Sequence, residues 1–333
     1  MGIRCGSQIT ICDVPVRLDT YKGCSHACAY CFVKRKKDIS LIERDNCVKA
    51  LKSFLSGKRS VETNWCDWDI PLHWGGMSDP FQPAERIHKI SLECLKLFAE
   101  TKYPVIISTK SCLICEPEYL DLLKQCNVVV QISMVCDKYD KLELGASTYK
   151  ARLEMIKTLK PHVRRIIARV QPYMLEVFQD VCGNIPKLAD AGAYGLTIEG
   201  MKFVKKKRGL VKVAGDYCYP EDRLRSDFIR IKTLCHQHGL SFYCAENRLR
   251  PLGDDMCCCG IDGLPGFLGN VFNVSHLKNG EKVKPTEHMN IPGTAKCFGT
   301  LHQDTVSNRK ISTLSFTDMM LYEAKKTLSG KSF

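Results

Sequence analysis

Two textures of apolar residues alternate along this chain. Short runs rich in β-branched residues read as strands, and each is followed by a turn and by apolar residues at helical spacing. The series opens with "QITICDV" (8–14), followed by the helix-like "SLIERDNCVKALKSFLSG" (40–57). "DIPLHWGGMSD" (69–79) leads into "AERIHKISLECLKLFAE" (84–100), with Pro83 as a helix-start signal. "PVIISTKS" (104–111), "VVVQISM" (128–134), "VRRIIARVQPY" (163–173) and "YGLTIEGM" (194–201) repeat the pattern, each with a helical segment behind it. Such alternation predicts parallel strands joined by right-handed crossovers. Six units, or seven counting "LSFYCAEN" (240–247), fit a partial or full (β/α) barrel, with a doubly wound sheet as the alternative. After residue 250 the chain becomes rich in Gly and Cys, as in "RPLGDDMCCCGIDGLPGFLGNVFNV". Residues 1–240 therefore read as the α/β barrel and residues 241–333 as a C-terminal extension packed on it.

Composition narrows the class. The 333 residues are 44% hydrophobic and 26% charged, as in an ordinary globular protein. No stretch approaches the roughly 18 apolar residues of a membrane span. The opening "MGIRCGSQIT" lacks the core of a signal peptide, so a cytoplasmic protein is expected. Twenty cysteines in a reducing compartment should then be buried thiols or metal ligands rather than a disulfide frame. Those standing singly on apolar segments (Cys47, Cys94, Cys126, Cys182, Cys235) read as small core residues. The net charge of +13 favours a polyanionic partner, nucleic acid first among them.

The clustered cysteines point to chemistry. Cys24, Cys28 and Cys31 stand within eight residues, in a loop after the first expected strand. Soft thiolates suit zinc or an iron–sulfur cluster. Structural zinc wants four protein ligands, so three with no near fourth suggest a cubane with one iron left open. His26, between two of the cysteines, reads as a loop residue or a donor behind the ligands.

"GCSHACAYCF" resembles the C-x3-C-x2-C signature of the radical S-adenosylmethionine (SAM) superfamily, including the aromatic Tyr30 before the third cysteine. The resemblance implies a partial (β/α)6-type barrel whose three thiolates hold a [4Fe-4S] cluster. The open iron would chelate SAM, an external flavodoxin- or ferredoxin-type donor would supply an electron, and a 5′-deoxyadenosyl radical would take hydrogen from the substrate. "GGMSDPFQPAE" (75–85) and "STKS" (108–111) resemble the spore photoproduct lyase-like branch. By that resemblance the backbone of Gly75, Gly76 and Met77 receives the SAM amino group, Lys110 meets its carboxylate, and Ser133 reaches its ribose. Arg169 lies in an apolar strand, where an unpaired charge is costly, so it should meet a carboxylate of SAM or of the protein. Glu199, at the end of the sixth strand, is a candidate partner for Arg169 or for substrate.

A second cysteine group, Cys244, Cys257, Cys259 and Cys297 with Cys258 in reserve, is a candidate auxiliary iron–sulfur or zinc site. Such a cluster departs from the lyase pattern. "VKRKK" (33–37) and "KFVKKKRG" (202–209) fall in loops expected at the barrel mouth, where they would engage phosphates, with Trp65, Trp68 and Trp74 as possible stacking surfaces. The expected function is a radical SAM enzyme acting on DNA or a modified nucleotide, by base repair or hypermodification. Peptide modification and a zinc-stabilised nucleic-acid-binding protein are the alternatives.

Overall fold

The computed structural model describes residues 2–6, 8–35, 43–44, 47–67, 70–301, 311 and 313–328. Its centre is an eight-stranded sheet built from β1 (Arg4–Cys5), β2 (Val16–Leu18), β5 (Leu72–Trp74), β6 (Val105–Thr109), β7 (Val128–Ser133), β8 (Arg165–Tyr173), β9 (Gly195–Gly200) and β12 (Ser241–Cys244), in that spatial order. Short ribbons β3 (Tyr21–Lys22) with β4 (Glu43–Arg44), and β10 (Val211–Val213) with β11 (Asp216–Cys218), stand apart. Within the eight-stranded sheet β1 runs antiparallel to β2, and β2, β5, β6, β7, β8, β9 and β12 form a parallel series. The crossovers carry helices α1 (Cys47–Leu55), α2 (Glu85–His88), α3 (Ile90–Thr101), α4 (Pro117–Leu123), α5 (Tyr149–Leu159), α6 (Phe178–Ala191) and α7 (Glu221–Gln237). β1 and β12 are the sheet's two edges, so this is a partial α/β barrel with seven parallel strands.

Both faces of the sheet are covered, which is why its strands read as unbroken apolar runs. Val105, Ile107, Val128, Val130 and Ile132 pack into the main core beneath the helices. Ile106, Val129 and Ile167 alternate with them and face the opposite way, into the barrel. The cysteines at 47, 94, 126 and 235 are buried in the helix-side core, as their apolar surroundings predicted.

The first strand is displaced from its expected position. Residues 8–11 form turns, and the strand begins at Val16, behind Pro15. Ile9 and Val14 are apolar because they are buried, not because they pair in a sheet. The seventh strand, β12, lies beside β9 although it falls past residue 240. The tryptophans do not form a surface: Trp65 is fully buried and stacks on Phe316 with ring centres 4.5 Å apart, and Trp74 lies between Phe81 and Phe98. Trp68, Lys36 and Lys37 fall outside the described residues.

The glycine- and cysteine-rich tail closes the N-terminal end of the barrel. Cys257, Cys259 and Ile261 pack against Val14, Ile106, Val129, Ile167 and Tyr243. Arg165 donates to the carbonyl of Gly260 at 3.1 Å and of Asp262 at 2.7 Å. A Cβ at Gly260 would stand 2.4 Å from Ile167 Cδ1, so only glycine lets the plug seat here. Farther on, α8 (Val274–Lys278) is capped by Asn273, whose amide also reaches Asp13 at 2.9 Å.

His276 ties this tail to the N-terminal turns, 2.9 Å from Asp13 and 2.6 Å from Glu281. Burial alone would lower its pKa, but the two carboxylates raise it to about 9. The raised value means that the pair contributes fully below the ordinary histidine pKa of about 6.5 and fades as pH rises through about 9. Thermal unfolding of wild type beside His276→Gln should show a difference on the order of 2 kcal/mol at pH 6 that shrinks toward zero by about pH 10. A difference that stays constant over that range would show that the imidazole is not held charged.

Candidate active site

The three-cysteine loop leaves β3 through Gly23 and turns again at Ala27, with φ of 85° and 48°. Gln82 clamps its start, accepting from the backbone of Ser25 at 2.9 Å and donating to the carbonyl of Gly23 at 3.2 Å. Ala29 N–H donates to Leu142 O at 2.8 Å. Gly145 lies so close that an added Cβ would be 2.3 Å from Ser25 O. The loop is thus gripped from the connections after β5 and β7, both at the C-terminal end of the sheet, where parallel α/β proteins bind ligands.

Cys28 is buried, and Cys24 and Cys31 are partly exposed. Cys28 lies within electrostatic reach of both others. Burial pushes the Cys24 thiol up to about 12 and Cys28 to about 11. Without a metal these sulfurs stay protonated, and a bound metal would displace their protons. Among the described residues no group of three or more His, Cys, Asp or Glu could hold a single metal ion. A cubane, whose ligands sit on three separate irons, asks for a wider triangle. Three soft sulfurs in one gripped loop fit that group through Cys24, Cys28 and Cys31. His26 turns away from them toward Asp79, with Nδ1 3.4 Å from its carboxylate.

A buried polar frame surrounds this loop. Asp79 accepts from the Thr109 hydroxyl at 2.8 Å and from Lys110 N–H at 2.7 Å. Glu143, 1% exposed in its side chain, pairs with Arg152 at 2.6 Å, accepts from Tyr30 OH, and lies 3.7 Å from Lys110 Nζ. Burial pushes the Glu143 carboxyl upward while Arg152 opposes that shift. Arg152 also holds Ser133 O at 2.8 Å. One carboxylate therefore connects the aromatic residue of the cysteine loop to strands β6 and β7.

The residues expected at the SAM position gather here. Lys110 Nζ donates to Ser133 Oγ at 2.8 Å. Gly75 holds φ 95°, and a Cβ there would stand 2.4 Å from Ser108 O, so the turn after β5 requires glycine. Met77 N–H donates to Asp19 at 2.8 Å, which fixes this turn against the end of β2.

Deeper in the barrel lies a second polar layer. Arg17 donates to His73 Nδ1. An arginine only donates, so that nitrogen accepts and the ring proton sits on Nε2, 2.7 Å from Ser108 Oγ. Ser108 donates to Gln131 Oε1 at 3.1 Å. Arg169 donates to Ser108 at 3.1 Å, Gln131 at 3.3 Å and Gln171 at 2.5 Å. Among the described residues Arg169 makes no direct pair with Glu199; Gln171 stands between them and donates to Glu199, which also pairs with Lys202. Arg17, His73, Asp79, Gln131, Glu143 and Arg152 were not singled out from the sequence. Arg17, a charge inside the apolar "VPVRL", carried the same signal that marked Arg169.

The second cysteine set is not gathered into one site. Cys257 and Cys259 belong to the barrel plug, near Cys12 and Cys258. Cys244 packs in the helix-side core, within electrostatic reach of Cys258. Cys297 lies in that core too, paired with Cys5. Cys257 and Cys259 pack on the barrel's apolar floor, and Cys258 packs against the same cluster within electrostatic reach of Arg250 and Arg169.

Basic side chains do stand at the mouth. Lys205, Lys206, Lys207 and Arg208 are exposed in the loop that follows β9 and leads into the β10–β11 ribbon.

No protein-family model matches the chain. It is 26% identical over 210 residues to uncharacterized proteins of Mycobacterium tuberculosis and Mycobacterium bovis, across 57% of this chain and 59% of theirs. The chain thus spans about 59% of the length of those curated relatives. Among solved structures it is similar to spore photoproduct lyase complexed with dinucleoside spore photoproduct, with TM-score 0.57 and 15% identity over 70% of this chain and 77% of that one. A doubly substituted variant of the lyase, with bound AdoMet and the same dinucleoside, gives TM-score 0.57 and 14% identity over 73% and 80%. The shared property is the fold, the partial barrel that the sequence resemblance implied.

Proposed function

We propose that this chain is a radical SAM enzyme acting on a nucleic-acid or nucleotide-derived substrate. The observation that carries the reading is one arrangement: the Cys24–Cys31 loop, the Gly75 turn and the Lys110–Ser133 pair share the C-terminal end of a parallel sheet. When bound to the three thiolates, a [4Fe-4S] cluster supplies the electron that splits SAM, and with it the radical that takes hydrogen from substrate. The chain's own residues do the rest. Gln82 and Gly145 hold the loop, and Glu143 orients Tyr30 and Lys110 together. Lys110, drawn below its ordinary pKa by burial, offers a cation to the SAM carboxylate. An external flavodoxin- or ferredoxin-type donor completes the electron supply.

Support for the substrate class is electrostatic and comparative. The exposed lysines after β9 would track a phosphate backbone, and the lyase of similar fold is recorded with a dinucleoside photoproduct. The test is SAM cleavage by anaerobically reconstituted, reduced protein with and without ultraviolet-irradiated or undamaged DNA. A rise in 5′-deoxyadenosine on adding either DNA supports the class; the same yield throughout, with peptide mixtures stimulating instead, overturns it.

Lys110→Ala should weaken SAM binding about tenfold in equilibrium dialysis, and Lys110→Arg should recover part of the loss. Unchanged affinity in both variants would remove Lys110 from the SAM site.

A further inference from the structure

The deeper polar layer holds two guanidinium groups that, among the described residues, no carboxylate touches. Arg17 enters from β2 and Arg169 from β8, and Arg169, whose charge is disfavoured first by burial, also feels the like charge of Arg17. Arg169 donates to the neutral side chains of Ser108, Gln131 and Gln171. Arg17 donates to His73 Nδ1 and lies 3.8 Å from Cys12 Sγ. Elsewhere in the protein Arg4, Arg152 and Arg248 each meet a carboxylate, while buried Arg250 is held by the carbonyl of Met256 and the amide oxygen of Asn247. Glu199, the acid within reach of Arg169, is already engaged by Gln171 and Lys202. Like charges facing one another in a half-buried site are costly unless an anion joins them.

The backbone passes close to Arg17. A Cβ at Gly6 would stand 3.0 Å from its Nε, and one at Gly76 would stand 3.7 Å from its Cδ. The arginine thus threads between two glycines, one of them in the turn already assigned to SAM. Arg169 stands in register with Ser133, and its guanidinium reaches down to Ser108 and Gln131, whose β6 member lies two residues nearer the strand's start than Lys110.

We propose that Arg17 and Arg169 form an oxyanion seat for the substrate, taking a terminal phosphate or a carboxylate into the barrel beneath SAM. Guanidinium forks match either group and bind it bidentately. The substrate is then an anionic molecule that enters end-on, such as a nucleotide with a terminal phosphate, rather than a neutral base or nucleoside. This rests on the reading of the barrel mouth as the reaction chamber.

The test is equilibrium dialysis of anaerobically reconstituted protein against thymidine 5′-monophosphate, thymidine, citrate and SAM, for wild type, Arg17→Gln and Arg17→Lys. Unfolding midpoints of all three would confirm that each is folded. The seat predicts that wild type prefers the monophosphate to thymidine by about tenfold. Arg17→Gln should abolish that preference, Arg17→Lys should keep part of it, and SAM affinity should change less than twofold. Citrate binding that depends on Arg17, with the monophosphate inert, keeps the seat and overturns the nucleotide reading. Monophosphate binding that survives Arg17→Gln keeps the nucleotide reading and overturns the seat. Loss of SAM affinity in Arg17→Gln also overturns it, because the arginines would then serve the cofactor.

Discussion

Alanine at Cys24, Cys28 and Cys31 together is expected to take anaerobically reconstituted protein from about four irons per chain to none. The brown absorbance should vanish with the iron. The fold should survive, because these side chains lie in a loop held by Gln82, Leu142 and Gly145 rather than in the core. The structure does not gather Cys257, Cys259, Cys244 and Cys297 into a second set, so about four irons rather than about eight is the wild-type value to expect. Metal analysis with circular dichroism on the same samples checks both points. Iron that persists in the triple variant would place the cluster elsewhere.

Glu143→Ala should be the most destabilising single substitution at the site. It leaves Arg152, 2% exposed in its side chain, without its 2.6 Å partner, and it strips Tyr30 and Lys110 of a shared carboxylate. Breaking one side of a buried pair costs about 3–5 kcal/mol. Urea denaturation should show most of that loss, and SAM binding should weaken because Lys110 is released. Glu143→Gln keeps a hydrogen-bond acceptor and should lose less. Adding Arg152→Met to Glu143→Ala should restore part of the stability, because no uncompensated charge then remains buried. Equal losses in the single and double variants would mean that Arg152 is satisfied by Ser133 and Asp140 alone.

Much of the fold was legible because a parallel sheet covered on both faces writes itself as β-branched runs. "VIIST" and "VVVQIS" became β6 and β7 with little displacement. "QITICDV" misled because burial and strand pairing leave the same apolar signature; Ile9 and Val14 are core residues outside any strand. The cysteine loop could be read because its three cysteines are adjacent in sequence. The Glu143–Arg152 pair could not, since nothing local shows that a loop carboxylate and a helix guanidinium will be buried together. "CCCG" can be read in two ways. A cysteine is both a metal ligand and a small hydrophobe, and here Cys257 and Cys259 serve as the second, wedged against Ile167 and Tyr243.

SAM cleavage at the mouth of this barrel is the proposal on which the others depend. Its most direct test is to reduce anaerobically reconstituted wild type with dithionite in the presence of SAM and to quantify 5′-deoxyadenosine, with the triple-cysteine variant as background. 5′-Deoxyadenosine should form in the wild type alone. Wild type that carries its iron and leaves SAM intact, or yields no more 5′-deoxyadenosine than the variant, would contradict it.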